Sequence, residues 1–537
     1  MNRRSFFQRV RPSPAADSAR VEVLPGVFVD GRLPVRWSYD HPERDTPAPR
    51  DQSAFRGAST GLEPYVPSDD APWDRRRVLH LLRRSGYGAT PADIETVAAV
   101  PPLAAVDAIV DAAASASLPP TPDWFDVPPP SEDAPPSEIE AFIESTVEWR
   151  LETLHELCRE GLALRTAGTA LRERLAVLWH GHFATEVDVY FLSRYLYDYL
   201  TLLRTHAFGD FRTLVYEIGL TPAMLIYLNG FENRVGQPNE NYARELLELF
   251  TMGITGPDGE PNYTQSDIEE LSRALTGWGI DYYGTQEAVF VPFWHDTGEK
   301  TIFGQTGAWG YDDIVPLLFG QRADEIAHFV CSKIYQALVY DVPNPSVVAE
   351  MAALFVAEDF QIEPVVRTLL RSTHFFDDDV IGARIKSPLD HGLALYRESG
   401  YPEHPDVYTY LNFRMAQAGQ ELFNPPNVAG WPGYHAWIDT QALPVRWLYA
   451  RQFLYFFPGM QALALSMPNP YDVHALAADL AAFFLGVPVS DDDLTTFTEL
   501  LLNGIPDYEW NPSADGAEVR LRGLVDHLLG LPEYQLG

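Results

Sequence analysis

The 537-residue sequence predicts a mainly α fold: one large helical domain, a small β-hairpin near 288–304 and an extended N-terminal arm. Three observations predict it. Apolar residues recur at helical spacing through most of the chain after residue 72, cap and stop residues bracket those stretches, and one late stretch alternates as a strand does. The 46% hydrophobic and 12% aromatic content is that of a globular chain.

Residues 1–71 are rich in Pro, Asp and Arg, with little periodicity, and read as an arm lying on the main body, with a short strand at "VEVLPGVFVDGR". From 72 to 537 the helical domain follows. In "WDRRRVLHLLRRSGYG", Val78, Leu81, Leu82 and Ser85 share a face, and Gly86 and Gly88 end the segment. "TPADIETVAAV" opens with Thr90 as cap, Pro91 at the first helical position and Asp93 three residues after the cap. Residues 117–138 form a proline-laden loop between helices. Helical patterns then cover 139–182, 188–206, 210–228, 239–252, 265–276, 311–340, 345–373, 385–399, 407–421, 442–457, 471–485, 490–503 and 516–529. The exception is "EAVFVPFWHDTGEKTIFG", which alternates and turns at Asp296–Gly298, the pattern of a β-hairpin.

A net charge of −36 repels nucleic-acid phosphate and anionic lipid, so neither is expected as a partner. Lys300, Lys333 and Lys386 are the three lysines; arginine supplies the remaining basic residues. Cys158 and Cys331 read as two buried free thiols rather than a disulfide, and two cysteines cannot build a thiolate metal cluster. "NRRSFFQ" is similar to a twin-arginine export motif, but the apolar segment that should follow is replaced by charged, proline-broken sequence. No apolar run is long enough to suggest a membrane span. The expectation is a soluble, cytoplasmic chain, the alternative being export.

Four stretches could carry chemistry. In "LWHGHFAT", a helix running through Gly181 points His180 and His182 about 200° apart, and one metal could not hold both. A helix ending at Gly181 frees both rings to converge. In "NENYARELLELFTMGI", Asn239 caps, Ala243, Leu246, Leu247 and Phe250 face the core, and Glu245 and Glu248 project side by side with Asn241 and Arg244 adjacent. Two such carboxylates bind a divalent ion or share a proton; equally, they form a solvated face paired with Arg244. "YTQSDIEELSRALTGW" follows, with Ser266 and Glu269 as a capping box, and would make an αα-hairpin presenting the carboxylates near Arg273 and Trp278. His295 and Asp296 sit where a strand enters a turn, and Trp431, Tyr434 and Trp437 stiffen a Pro/Gly loop at 422–440, the wall of a cleft or simply an ordered cover. No HExxH, P-loop, GxSxG or GxGxxG appears in a suitable context.

Taken in order, "HLLRRSGYGATPADI", "LWHGHFAT", "NENYARELLELFTMGI", "YTQSDIEELSRALTGW", "HDTGEKTIFG", "RIKSP" and "PPNVAGWPGYHAWI" resemble the bacterial family called domain of unknown function 1800, from about residue 73 onward. The resemblance implies one large helical domain. It also implies frequent encoding beside a protein similar to alkaline phosphatases and sulfatases, and frequent export. This chain departs at Phe250, where many members carry a histidine, so any ligand or base role there is absent.

Two functions follow as expectations. One is a metal-assisted enzyme in which His180, His182, Glu245, Glu248, His295 and Asp296 converge on a divalent transition metal, Arg244 orients a carboxylate or anionic substrate, Asn241 assists binding, and Trp278 and Trp431 line the pocket. The other is a non-catalytic helical scaffold that binds the phosphatase-like or sulfatase-like partner.

Overall fold

The computed structural model describes residues 20–24, 27–30 and 61–537, apart from 132, 163–167, 283 and 457–458. The chain is mainly α, as the periodicity predicts. The twin-arginine-like segment and most of the predicted arm lie outside the described residues. Within the arm, Arg20–Leu24 pairs antiparallel with Val27–Asp30. Its last residues are tied down: Tyr65 N–H donates to the Arg371 carbonyl at 2.8 Å, and Thr373 N–H to that of Glu63.

Capping chemistry sets many of the boundaries. Thr90 and Asp93 form the predicted capping box of the Pro91–Ala98 helix. A second helix, Pro102–Ser115, follows immediately; its alanine-rich sequence hides a buried stripe of Ala105, Val106, Val110 and Ala113. Several long predicted patterns are each two helices. The pattern 139–182 is Pro136–Leu162 and Ala170–His182, and 311–340 is Tyr311–Gln321 and Ala323–Leu338. The box expected from Ser266 and Glu269 is instead made by Thr264 and Asp267, two residues earlier, where the Asp267 carboxylate reaches back to the Thr264 N–H.

The β element near 288–304 divides between two partners. Ala288–Phe290 pairs backward with Trp278–Ile280, and Lys300–Ile302 pairs forward with Gln305–Gly307. A single 3₁₀ turn at Pro292–Trp294 breaks the run between them. Phe303 and Gly304, both at positive φ, make the tight two-residue turn that favours the forward pairing.

Ala170–His182 lies at the centre, with Pro102–Ser115, Pro136–Leu162, Ser193–Thr205 and Ala323–Leu338 packed around it. Leu171, Leu175, Ala176 and Trp179 are sealed from solvent, but so are Arg172, Glu173 and Arg174. A helix buried on both sides must pair its charges. Glu173 is held by Arg172 and by Arg204 (2.9 Å), and Arg204 reaches on to Glu156 at 2.6 Å. Both cysteines are buried and free. No single helix among the described residues is long and apolar enough to cross a membrane, and the one adjacent pair that passes together is bent by 118°.

Candidate functional site

The central helix continues through Gly181 to His182, so the two histidines leave it in different directions. His182, 6% exposed, donates from Nε2 to the Phe250 carbonyl at 2.9 Å and packs among Trp179, Phe183, Phe211, Phe250 and Phe329. That carbonyl lies in a π-helical turn, Leu246–Thr251, which ends the helix of the acidic motif. Burial pushes the His182 ring down to about 3, with the Lys333 cation acting the same way and the Phe250 carbonyl opposing it.

His180, 1% exposed, faces the opposite side. Its ring centroid lies 5.2 Å from Trp431, 5.6 Å from Tyr199 and 6.0 Å from Phe423. Neither ring nitrogen has a hydrogen-bond partner among the described residues, and neither does the buried Trp431 Nε1. Burial alone holds this imidazole down, to about 4. Thr185 and Tyr190 carry sealed hydroxyls near Tyr199. The Tyr199 hydroxyl itself donates to the Phe183 carbonyl.

The wall opposite His180 is brought in by two glycines. Gly430 has φ +79°, and a Cβ there would come within 2.1 Å of the Gly181 carbonyl oxygen. A Cβ on Gly181 would in turn touch the Trp431 ring at 3.4 Å. The middle residue of "HGH" is thus the seat on which "AGW" rests, backbone against backbone. The loop is also pinned by Val187 N–H donating to the Phe423 carbonyl at 2.9 Å.

The other expected site residues do not join this nest. Asn239 caps Glu240–Glu245 as predicted. Glu245 and Glu248 are neighbours: burial first, then the Glu248 charge, raises the Glu245 carboxyl against the pull of Arg244. Arg244 is occupied by Glu240 (2.9 Å), Glu248 (3.4 Å) and Gln265 (3.1 Å), and the neighbouring Asn241 is exposed. Asp296 takes a two-pronged contact from Arg273 (2.8 and 3.3 Å) and accepts from Gly298 N–H, the Arg273 bond lowering its carboxyl below the usual range. His295 Nδ1 donates to the Thr276 carbonyl at 3.0 Å. Trp278 packs on Phe290 and Tyr311 with its buried Nε1 unpartnered.

Convergence of His180, His182, Glu245, Glu248, His295 and Asp296 on one cleft is therefore corrected. Among the described residues no group of three His, Cys, Asp or Glu side chains is placed to hold a metal ion. The causes are local: the helix does not break at Gly181, the Phe250 backbone engages His182, and Arg244 and Arg273 engage the carboxylates.

Sequence reasoning missed two features. One is the phenol of Tyr199 beside His180, which the sequence analysis did not single out. The second is a small cavity where cations from three parts of the chain meet: Arg83 and Arg84, then Arg174, then Arg384 and Lys386.

The family model described as "Protein of unknown function (DUF1800)" matches residues 80–536. No curated protein and no solved structure matches the chain.

Proposed function

Because the chain belongs to the DUF1800 family of proteins of unknown function, its chemistry has to be read from the site, and we propose that it is a ligand-binding helical protein that takes the uncharged, hydrogen-bonding head of a small molecule at His180. One observation carries the reading: an imidazole 1% exposed, with both nitrogens unpartnered, in a cage of Tyr199, Phe423 and Trp431. A buried polar group left without a partner costs about 1–3 kcal/mol. The ring and the nearby Trp431 N–H together hold three such atoms, a cost that a partner in the nest would remove.

One magnitude shapes the proposal. A ring held near 4 is a weak base at neutral pH, and efficient proton transfer calls for a pKa near the working pH. The imidazole therefore serves as one donor and one acceptor in fixed positions, which is recognition rather than proton abstraction. The rings of Tyr199, Phe423 and Trp431 around the imidazole suit a neutral ligand head. The metal-assisted enzyme asks for carboxylates beside these imidazoles, whereas Arg244 engages Glu248 and no group of three metal-ligating side chains forms among the described residues.

Diffraction at a resolution that shows ordered waters tests the reading. Density within hydrogen-bond reach of His180 and Trp431 Nε1, exchanged or lost in His180→Leu, is the expected result. A dry, fully closed nest sinks it.

A further inference from the structure

The strand Ala288–Phe290 pairs with Trp278–Ile280 on one side and with no other strand among the described residues. Val291 N–H donates to the Gly277 carbonyl at 2.7 Å, and Asp281 N–H to that of Glu287 at 3.0 Å. Gly279 faces Val289 between them, so the pairs that bond across this antiparallel ladder are 277 with 291, 279 with 289 and 281 with 287. The intervening pairs, Trp278 with Phe290 and Ile280 with Ala288, turn their amide groups away from each other. The N–H and C=O of Ala288 and Phe290 therefore face outward along a free edge, and no hydrogen bond from the described residues reaches them.

The side chains of this edge are as open as its amides. Residues 289–294, "VFVPFW", are six apolar residues in a row with no charge among them. A core strand would bury such a run, yet Val289 and Phe290 are each 42% exposed and Phe293 is 77% exposed. An unpaired edge carrying exposed apolar side chains and no charge lacks the usual guards against pairing with another chain, and such patches mark association surfaces.

The ends of the edge say what fits it. Gln286 sits at φ +61°, outside the extended region, and Pro292 has no N–H and opens a 3₁₀ turn. The usable edge is thus 287–291, and its middle residue is Val289. A second copy laid antiparallel about that residue sets Ala288 of each copy against Phe290 of the other, and every outward N–H and C=O finds a partner. The one charged residue of the edge, Glu287, then faces Val291. At about 3.4 Å per residue the two Glu287 side chains lie about 14 Å apart, beyond the screening length of about 10 Å in 0.1 M salt. We propose that the chain self-associates through this edge, forming a two-fold dimer in which two Ala288–Phe290 strands pair antiparallel about Val289 into one four-stranded sheet. The dimer is independent of the His180 reading.

Sedimentation of the full chain across protein concentration tests it, the mass rising from the 60.2 kDa of one chain to twice that value. Added salt should tighten the dimer, because it screens repulsion between two chains of net charge −36. Ala288→Pro deletes an outward N–H while the bonds to Trp278–Ile280 stay, and should weaken the dimer about tenfold. Val289→Lys sets like charges opposite each other at the two-fold axis and should weaken it as well. Val289→Cys should give a disulfide-linked dimer on mild oxidation, since Cα atoms of a non-bonded pair lie about 4.5 Å apart. Val291→Cys, about 14 Å from its copy, should not. If Ala288→Pro does not fold, the two variants of exposed Val289 carry the test. A chain that stays monomeric at every concentration overturns the proposal and leaves the edge to a strand of a different protein. A dimer unmoved by Val289→Lys, or cross-linked as fast through Val291→Cys as through Val289→Cys, overturns it too.

Discussion

His180 and His182 stand one residue apart on the same helix, both sealed from solvent and both driven to the neutral form by burial, yet their surroundings are opposite. His182 spends its donor on the Phe250 carbonyl and locks the central helix to the π turn of the acidic motif. His180 spends nothing and looks onto the loop that carries Trp431. A partnered buried histidine belongs to the frame of the fold, whereas an unpartnered one is a cost that function has to justify. The residue between them divides the two roles, since Gly181 is the surface on which Gly430 rests.

Acid is the strongest lever on what the two rings share. An unfolded histidine titrates near 6.5, and burial lowers His180 to about 4 and His182 to about 3. On acidification the unfolded chain takes up these protons first. The folded state therefore holds its full advantage above about pH 6.5 and loses it as pH falls toward each folded value. Between pH 7 and 5 the loss is about 2 kcal/mol for each ring, and His80 and His391, lowered in the same way, add to it. Urea unfolding at both pH values should show the drop, shrinking by about 2 kcal/mol in His180→Leu and again in His182→Leu. A drop unchanged in both variants would mean that neither ring is buried neutral.

Gly430→Ala attacks the seat rather than the rings. The new Cβ falls 2.1 Å from the Gly181 oxygen, at a φ of +79° that alanine disfavours. The loop has to lift, at a cost of roughly 2 kcal/mol or more from the strained conformation and lost packing. Trp431 should then enter water, read as a red shift of tryptophan fluorescence, while the Phe250 bond to His182 stays intact. If fluorescence and stability are unchanged, the backbone contact does not hold the loop.

How much of this could be read from sequence depends on how far away the deciding partner lies. Thr90 and Asp93 were legible because a capping box is closed within three residues. The box at 264–267 was misplaced by two residues, since Thr264–Asp267 and Ser266–Glu269 satisfy the same spacing and only tertiary contact separates them. Phe250 was legible as packed because its helical face is apolar. The conditional at Gly181 was not, because a glycine after a histidine is equally a helix stop and a seat. What settles it is Gly430, far along the chain, whose approach only the fold reveals. The basic cavity is hidden for the same reason: Arg174 and Asp390 form one bond from distant helices, and no window of sequence contains both.

The finest comparison is one substitution made at both positions. Leucine is close to histidine in volume, so packing is nearly conserved and the hydrogen bonds are what change. His182→Leu strands the Phe250 carbonyl in an apolar surround, and equilibrium unfolding should show a loss of about 1–3 kcal/mol. His180→Leu strands nothing among the described residues. It removes two unsatisfied nitrogens, so stability should hold within about 1 kcal/mol or rise. A rise at 180 beside a fall at 182 separates a site from a strut in one measurement, and a ligand that stabilises only the histidine form would complete the case. If His180→Leu instead loses as much as His182→Leu, then ordered water already satisfies His180. The nest would then be part of the frame, and the two halves of "HGH" would have the same role after all.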